Sequence, residues 1–323
     1  MKLFNPKTGA IFAMLLSSGT MIADAQALTV YTAGPGSLAK GLAAGFEKQT
    51  GIKVNIFQAT TGKVMARLEA EQANPQADVL ISASWDTAED LQQRGWLLPY
   101  QSPNAETIPA QFKTPDYVAQ GISALGIVWN TKSGTPEPKE WQDLTAEAFK
   151  DRVTTPDPSL SGASLDLLIG LQNSMGDRAW QLFSKLKNNG MVIAGPNAQA
   201  LTPVLQGAKA AVFGAVDYVS YGSIQDGEAI KVIFPASGTV VAPRPMMILK
   251  SSQHAADAKA FIDYVLSEEG QQKVADAWLM PARSDVSAKR PLLSDLKILP
   301  AQSNGGADRS SVLKRFAELF KQP

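Results

Sequence analysis

Residues 28–91 alternate between two hydrophobic periods, and this alternation constrains the fold more than any other feature of the chain. Leu28-Thr-Val-Tyr-Thr32 is a short β-prone run that stops at Ala33-Gly34-Pro35-Gly36. Ser37 is then placed to cap a helix with Leu38, Leu42 and Phe46 on one face. Lys53–Phe57 reads as a second strand, and Thr60-Thr-Gly-Lys63 leads into a helix carrying Val64, Met65 and Leu68. Asp78–Ser82 reads as a third strand, followed by a helix capped by Thr87 and running through Leu91. Strand–helix–strand–helix–strand at this spacing predicts a parallel, doubly wound α/β sheet with right-handed crossovers.

The remainder reads as a second α/β lobe and a return. Gly121–Trp129 is a long β-like run with two glycines, read as a connection out of the first lobe. Helices are expected at about Ser164–Met175 and Arg178–Lys187, and a strand at Ala210–Val216. Lys231–Phe234 and Met246–Leu249 bracket the return; helices from Ala255 to Leu266 and Glu269 to Trp278 follow. The expected division is residues 28–122 with 236–285 as one lobe, 123–235 as the other, and 286–323 as a helical tail. Val312, Phe316 and Phe320 share one face of that tail's helix, Ser310–Lys321. A cleft between two such lobes lies at the carboxyl ends of the strands, where open α/β sheets bind ligands.

Residues 1–27 have the form of a secretory signal: Lys2 and Lys7, an apolar stretch from Gly9 to Met21, and small-x-small sites that place cleavage near Ala25 or Ala27. No later stretch is long and apolar enough to span a membrane. The expectation is an exported protein of the periplasm. Charges balance at 30 basic against 30 acidic residues, and no basic run offers nucleic acid a surface. With no cysteine and one histidine, His254, thiolate sites and multi-histidine metal sites are out of reach. No G-x-S-x-G elbow is present, so a periplasmic hydrolase is the weak alternative and no cofactor is called for.

The chain resembles the periplasmic solute-binding proteins of bacterial ABC importers. The resemblance is to the group that binds ferric ion, hexose phosphates, 2-aminoethylphosphonate, thiamine or polyamines. It is carried by Asn74-Pro-Gln-Ala-Asp-Val-Leu80, Trp141-Gln-Asp-Leu144, Leu160-Ser-Gly-Ala-Ser164, Ala210-Ala-Val-Phe213, Phe261–Gly270 and Met280-Pro-Ala-Arg-Ser-Asp-Val286. It spans essentially all of the chain after the leader. It implies a type 2 two-lobe binding-protein fold: two doubly wound sheets joined by a two-strand hinge. It also implies a monomer that closes on a small ligand without catalysis and delivers it to an inner-membrane permease.

Candidate contacts follow. Ser161-Gly162-Ala163-Ser164 opens a helix whose free N–H groups and positive dipole end suit an anion; in ferric-binding relatives a similar Ser-Gly-Ala cradles a phosphate. Gly36, Ser37 and Thr61 sit in strand-to-helix turns facing the expected cleft, and either contact ligand or cap helices. Trp85 follows the third strand and either stacks on ligand or packs in its lobe. Arg244, between two prolines, either clamps a phosphate or carboxylate or pairs with an acid at the hinge. Asp217 and Tyr218 end the strand at 210–216. In ferric-binding relatives two adjacent tyrosines stand there, whereas here Tyr218 and Tyr221 are three apart. In hexose-phosphate-binding relatives an Asp there holds sugar hydroxyls. The resulting expectation is a small phosphate- or phosphonate-bearing organic ligand. The alternative is ferric ion, with Tyr218 and Tyr221 as ligands and phosphate as synergistic anion. His254 is expected to be an exposed residue near a helix start.

Overall fold

The computed structural model describes residues 27–299 and 308–321; the expected leader, apart from Ala27, lies outside them. The first lobe opens with β1 (Leu28–Thr32), α1 (Gly36–Thr50), β2 (Val54–Gln58), α2 (Thr61–Ala70), β3 (Val79–Ile81), α3 (Trp85–Gln93) and β4 (Leu97–Leu98). The long strand β5 (Tyr117–Asn130) leads to β6 (Val153–Thr155), α4 (Gly162–Met175), α5 (Asp177–Asn188), β7 (Val192–Ile193), α6 (Asn197–Leu205), β8 (Ala211–Val216), α7 (Asp217–Gln225) and β9 (Ile230–Ile233). The chain returns on β10 (Val241–Leu249) and ends with α8 (Ala255–Val265), α9 (Glu268–Asp276), β11 (Met280–Pro281) and α10 (Arg309–Phe320).

Two sheets share β5. In the first, β2, β1 and β3 run parallel, with β10 antiparallel between β3 and β5. In the second, β7, β6 and β8 run parallel, and β8 and β9 pair antiparallel with β5. The change of sheet falls in mid-strand: Ala124 is paired with Val241 of β10, whereas Leu125 is paired with Val216 of β8. The two glycines of this run explain the close packing around it. A Cβ at Gly121 would stand 3.1 Å from the Met280 carbonyl, and one at Gly126 would stand 2.8 Å from the Ile233 carbonyl.

Each sheet has its own core. Phe46 meets Phe261 edge-on at 5.3 Å in the first, and Trp141 meets Phe213 at 5.0 Å in the second. The tail helix α10 docks on the second core through Val312 and Phe316, both nearly fully buried, with Phe316 edge-on to Phe183. Among the described residues no helix is long and apolar enough to cross a membrane.

The sequence reading missed α6 and α7, and three expected details differ. Helix α1 starts at Gly36 after Pro35, with no side-chain cap, and Ser37 is exposed within its first turn. Helix α3 starts at Trp85 with Ser84 before it, so Thr87 lies inside the helix rather than at its cap. His254 precedes α8 as expected, but its Nδ1 sits 3.1 Å from an oxygen of buried Asp78. Ser252 Oγ donates to that same carboxylate and not to the imidazole, so the three do not form a nucleophile relay.

Candidate functional site

Four helix starts converge between the lobes. Pro35 before α1, Thr60 and Thr61 at α2, Ser161 and Gly162 at α4, and Pro196 and Asn197 at α6 all line one cleft of about 520 Å³. The first intrahelical bonds begin only at Ala39, Val64, Leu165 and Gln199, so the N–H groups ahead of them depend on caps, solvent or ligand. Side chains cap none of α1, α2 or α6. At α4 the Ser161 hydroxyl accepts from Ser164 N–H and donates to Asn197 Oδ1, tying two of the helix starts together. Converging N-termini of this kind present partial positive charge to whatever enters.

Arg244 lies beneath this cleft. The ladder between β10 and β5 is irregular between Pro243 and Pro245, where neither ring nitrogen can donate. Such a bulge re-aims the side chain it carries. Arg244 is 1 % exposed, and its Nη2 donates to the Ala33 carbonyl at 2.7 Å. Its Nε is buried without a hydrogen-bond partner, and it joins no ion pair among the described residues. Burial pushes its pKa down, against the opposing influence of Tyr218 and Asp166. A buried guanidinium normally has a carboxylate beside it, because an unpaired buried charge costs several kcal/mol. The Thr60 hydroxyl is a second buried group without a partner in the same wall.

The lobes touch at two glycines. A Cβ on Gly162 would stand 2.9 Å from Ser84 Cβ and from Thr61 Oγ1, and 3.2 Å from the Ala83 backbone. One on Gly62 would stand 2.7 Å from the Ser159 carbonyl. Ser84 Oγ donates across the same seam to Asp166 at 2.6 Å. The Asp166 carboxyl is held well above the usual carboxylate range, chiefly by burial and also by nearby Asp86. Gly162→Ala is expected to hold the lobes slightly open. Binding should weaken by about tenfold, ~1.4 kcal/mol, with little change in thermal stability. Small-angle scattering with and without saturating ligand reads this as a larger radius of gyration for the liganded variant.

The structure separates the predicted contacts. Ser161, Gly162, Thr61 and Tyr218 line the cleft, and Arg244 lies against it. Ala163 is turned into the second core, and the Ser164 hydroxyl donates to the Pro156 carbonyl. Gly36 lies just past Pro35, with Gln58 Oε1 the nearest atom to a Cβ built on it. Three of the candidate residues lie outside the cleft lining. Ser37 faces solvent, because the helix begins before it. Trp85 meets Tyr117 edge-on at 4.9 Å and packs against the first lobe's core. Asp217 is fully buried at the hinge, where it pairs with Arg290 and accepts from Ala124 N–H at 2.8 Å and Tyr218 N–H at 2.7 Å. Burial pushes the Asp217 carboxyl up and the Arg290 guanidinium opposes this. Tyr221 points the other way from Tyr218, with Arg290 over its ring at 5.1 Å and Trp278 beside it. Burial raises its hydroxyl to about 12. Asn197 is the cleft residue that sequence reasoning missed. Its signal was Pro196 followed by Asn197-Ala-Gln-Ala-Leu201, a good helix start overlooked because Pro203 breaks the pattern.

Comparison with known proteins gives a consistent picture. Residues 74–302 match the family model described as bacterial extracellular solute-binding protein. A Salmonella typhimurium periplasmic protein, named as a candidate 2-aminoethylphosphonate binder, is 27% identical over 263 residues, covering 75% of this chain and 73% of that one. Two solved structures share the fold. The periplasmic binding protein AfuA from Actinobacillus pleuropneumoniae, with fructose-6-phosphate bound, superposes with TM-score 0.82 at 23% identity, covering 91% of this chain and 98% of AfuA. Iron-bound HitA from Pseudomonas aeruginosa superposes with TM-score 0.80 at 22% identity, covering 91% of this chain and 99% of HitA.

Proposed function

The chain belongs to the bacterial extracellular solute-binding protein family, and from that premise we propose that it captures a small phosphate- or phosphonate-bearing organic solute between its lobes. The observation that carries this reading is Arg244, a buried guanidinium with no carboxylate partner beneath four converging helix starts. A phosphoryl group supplies what that arrangement lacks: negative charge for the guanidinium and acceptor oxygens for free N–H groups and the Arg244 Nε. Ser161, Gly162 and Thr61 hold the anion from both lobes, so binding and closure are the same event. Exported to the periplasm with its leader removed, the monomer hands the solute to an inner-membrane ABC permease. It works without a cofactor, catalysis or nucleic acid.

Ferric ion is the weaker cargo. In that reading Tyr218 and Tyr221 share one metal, whereas Tyr218 lines the cleft and Tyr221 is turned onto Arg290.

A thermal-shift panel on refolded, ligand-stripped protein tests the reading. The panel contains inorganic phosphate, glycerol 3-phosphate, a hexose phosphate, an alkylphosphonate and ferric citrate. A ligand at 100 times its dissociation constant adds about 2.7 kcal/mol, a rise of several degrees. The rise is expected with phosphoryl compounds. A rise with ferric citrate alone, accompanied by visible colour, would replace this reading with the metal one.

A further inference from the structure

We propose that the solute is an organic anion without an ammonium group. This rests on the phosphoryl reading above and narrows it. Every residue lining the cleft among the described residues is neutral or cationic; Lys63 stands at the rim, and no Asp or Glu contributes to the wall. The carboxylates of the flanking segments stand outside that lining. Asp217 is paired with Arg290, Asp157 Oδ1 accepts from Ser159, and Asp166 lies on the seam outside the cleft lining, its Oδ1 accepting from Ser84 and its Oδ2 buried without a hydrogen-bond partner. Asp86 and Glu89 line a separate hollow together with Arg309 of the tail helix.

The lining's one aromatic ring gives an ammonium no refuge. Tyr218 already has the Arg244 guanidinium 5.9 Å from its centroid. An ammonium drawn in with a phosphoryl group would therefore leave water with no counter-charge, in a cleft whose fixed charges are all positive. Desolvating a charge without a partner is costly. The uncharged remainder of the solute meets Gln58, Asn197 and Thr60, whose amides and hydroxyl suit alcohols, ethers or aliphatic carbon. The relative named for 2-aminoethylphosphonate and this chain would then differ in the charge they accept at the far end of the ligand.

Matched pairs isolate the effect. Calorimetry at pH 7 compares ethylphosphonate with 2-aminoethylphosphonate, and glycerol 3-phosphate with 2-aminoethyl phosphate; inorganic phosphate serves as the reference anion. In each pair the amine is expected to bind at least tenfold more weakly than its amine-free partner. Gln58→Glu, which places a carboxylate on the wall beside Gly34, is expected to shrink or invert that ratio. Equal or tighter binding of the amines by the parent protein overturns the inference and leaves the phosphoryl reading standing. Binding of inorganic phosphate with none of the four organic anions overturns the inference in the same way. Failure of all five, phosphate included, removes the phosphoryl reading itself.

Discussion

Arg244→Met is expected to abolish useful ligand affinity without costing stability. Hydrogen bonds to charged groups contribute about 1.5–3 kcal/mol in net terms, so losing the guanidinium should weaken binding roughly 100-fold. The unliganded protein should behave in the opposite way. Arg244 is 1 % exposed, with its Nε unpartnered and no carboxylate in ion-pair contact, so the charge is a burden until ligand arrives. Methionine fills much of the same volume without a charge to desolvate. Its melting temperature in the absence of ligand should equal or exceed that of the parent, even though the Ala33 carbonyl loses its donor. Calorimetric titration together with a melting curve reads both halves. A variant that melts far lower yet binds normally would make Arg244 a structural residue of the hinge.

Asp217→Ala is expected to do the reverse. Asp217 and Arg290 bury their side chains completely, and Asp217 also holds the backbone N–H of Ala124, the residue at which β5 passes from one sheet to the other. Removing one member of a buried pair leaves an uncompensated charge and costs about 3–5 kcal/mol. For a protein of this size that lowers the melting midpoint by roughly 10 °C. Ligand affinity of the folded variant should stay within a few-fold of the parent, because Asp217 is sealed at the hinge and does not line the cleft. Asp217→Leu combined with Arg290→Met should recover most of the lost stability, since the buried charge disappears with its partner. An Asp217→Ala protein as stable as the parent, but binding 100-fold more weakly, would return Asp217 to the ligand.

These two residues mark where sequence reading succeeds and where it stops. Arg244 was legible as a candidate because an arginine between two prolines on a returning strand is unusual. Its choice between an anion and a hinge acid was not, because that depends on which carboxylates fold beside it. Asp217 was misplaced for the same reason: its partner is 73 positions away in a loop segment with no periodic pattern. The alternating strands and helices of residues 28–91 were readable because each element has its own hydrophobic period. The start of α4 was readable because Ser161 and the small residues after it are a local signal. Helix α6 was not, since Pro203 interrupts it and a proline inside a pattern argues against a helix. The contacts of Gly62 and Gly162 across the seam are invisible in sequence, because they are contacts between lobes.

The most direct test of the account is calorimetric titration of refolded mature protein with glycerol 3-phosphate, repeated with Arg244→Met. The account predicts saturable one-to-one binding by the parent and a roughly 100-fold loss in the variant. No binding of any phosphoryl compound by the parent, or equal binding by parent and variant, would contradict it.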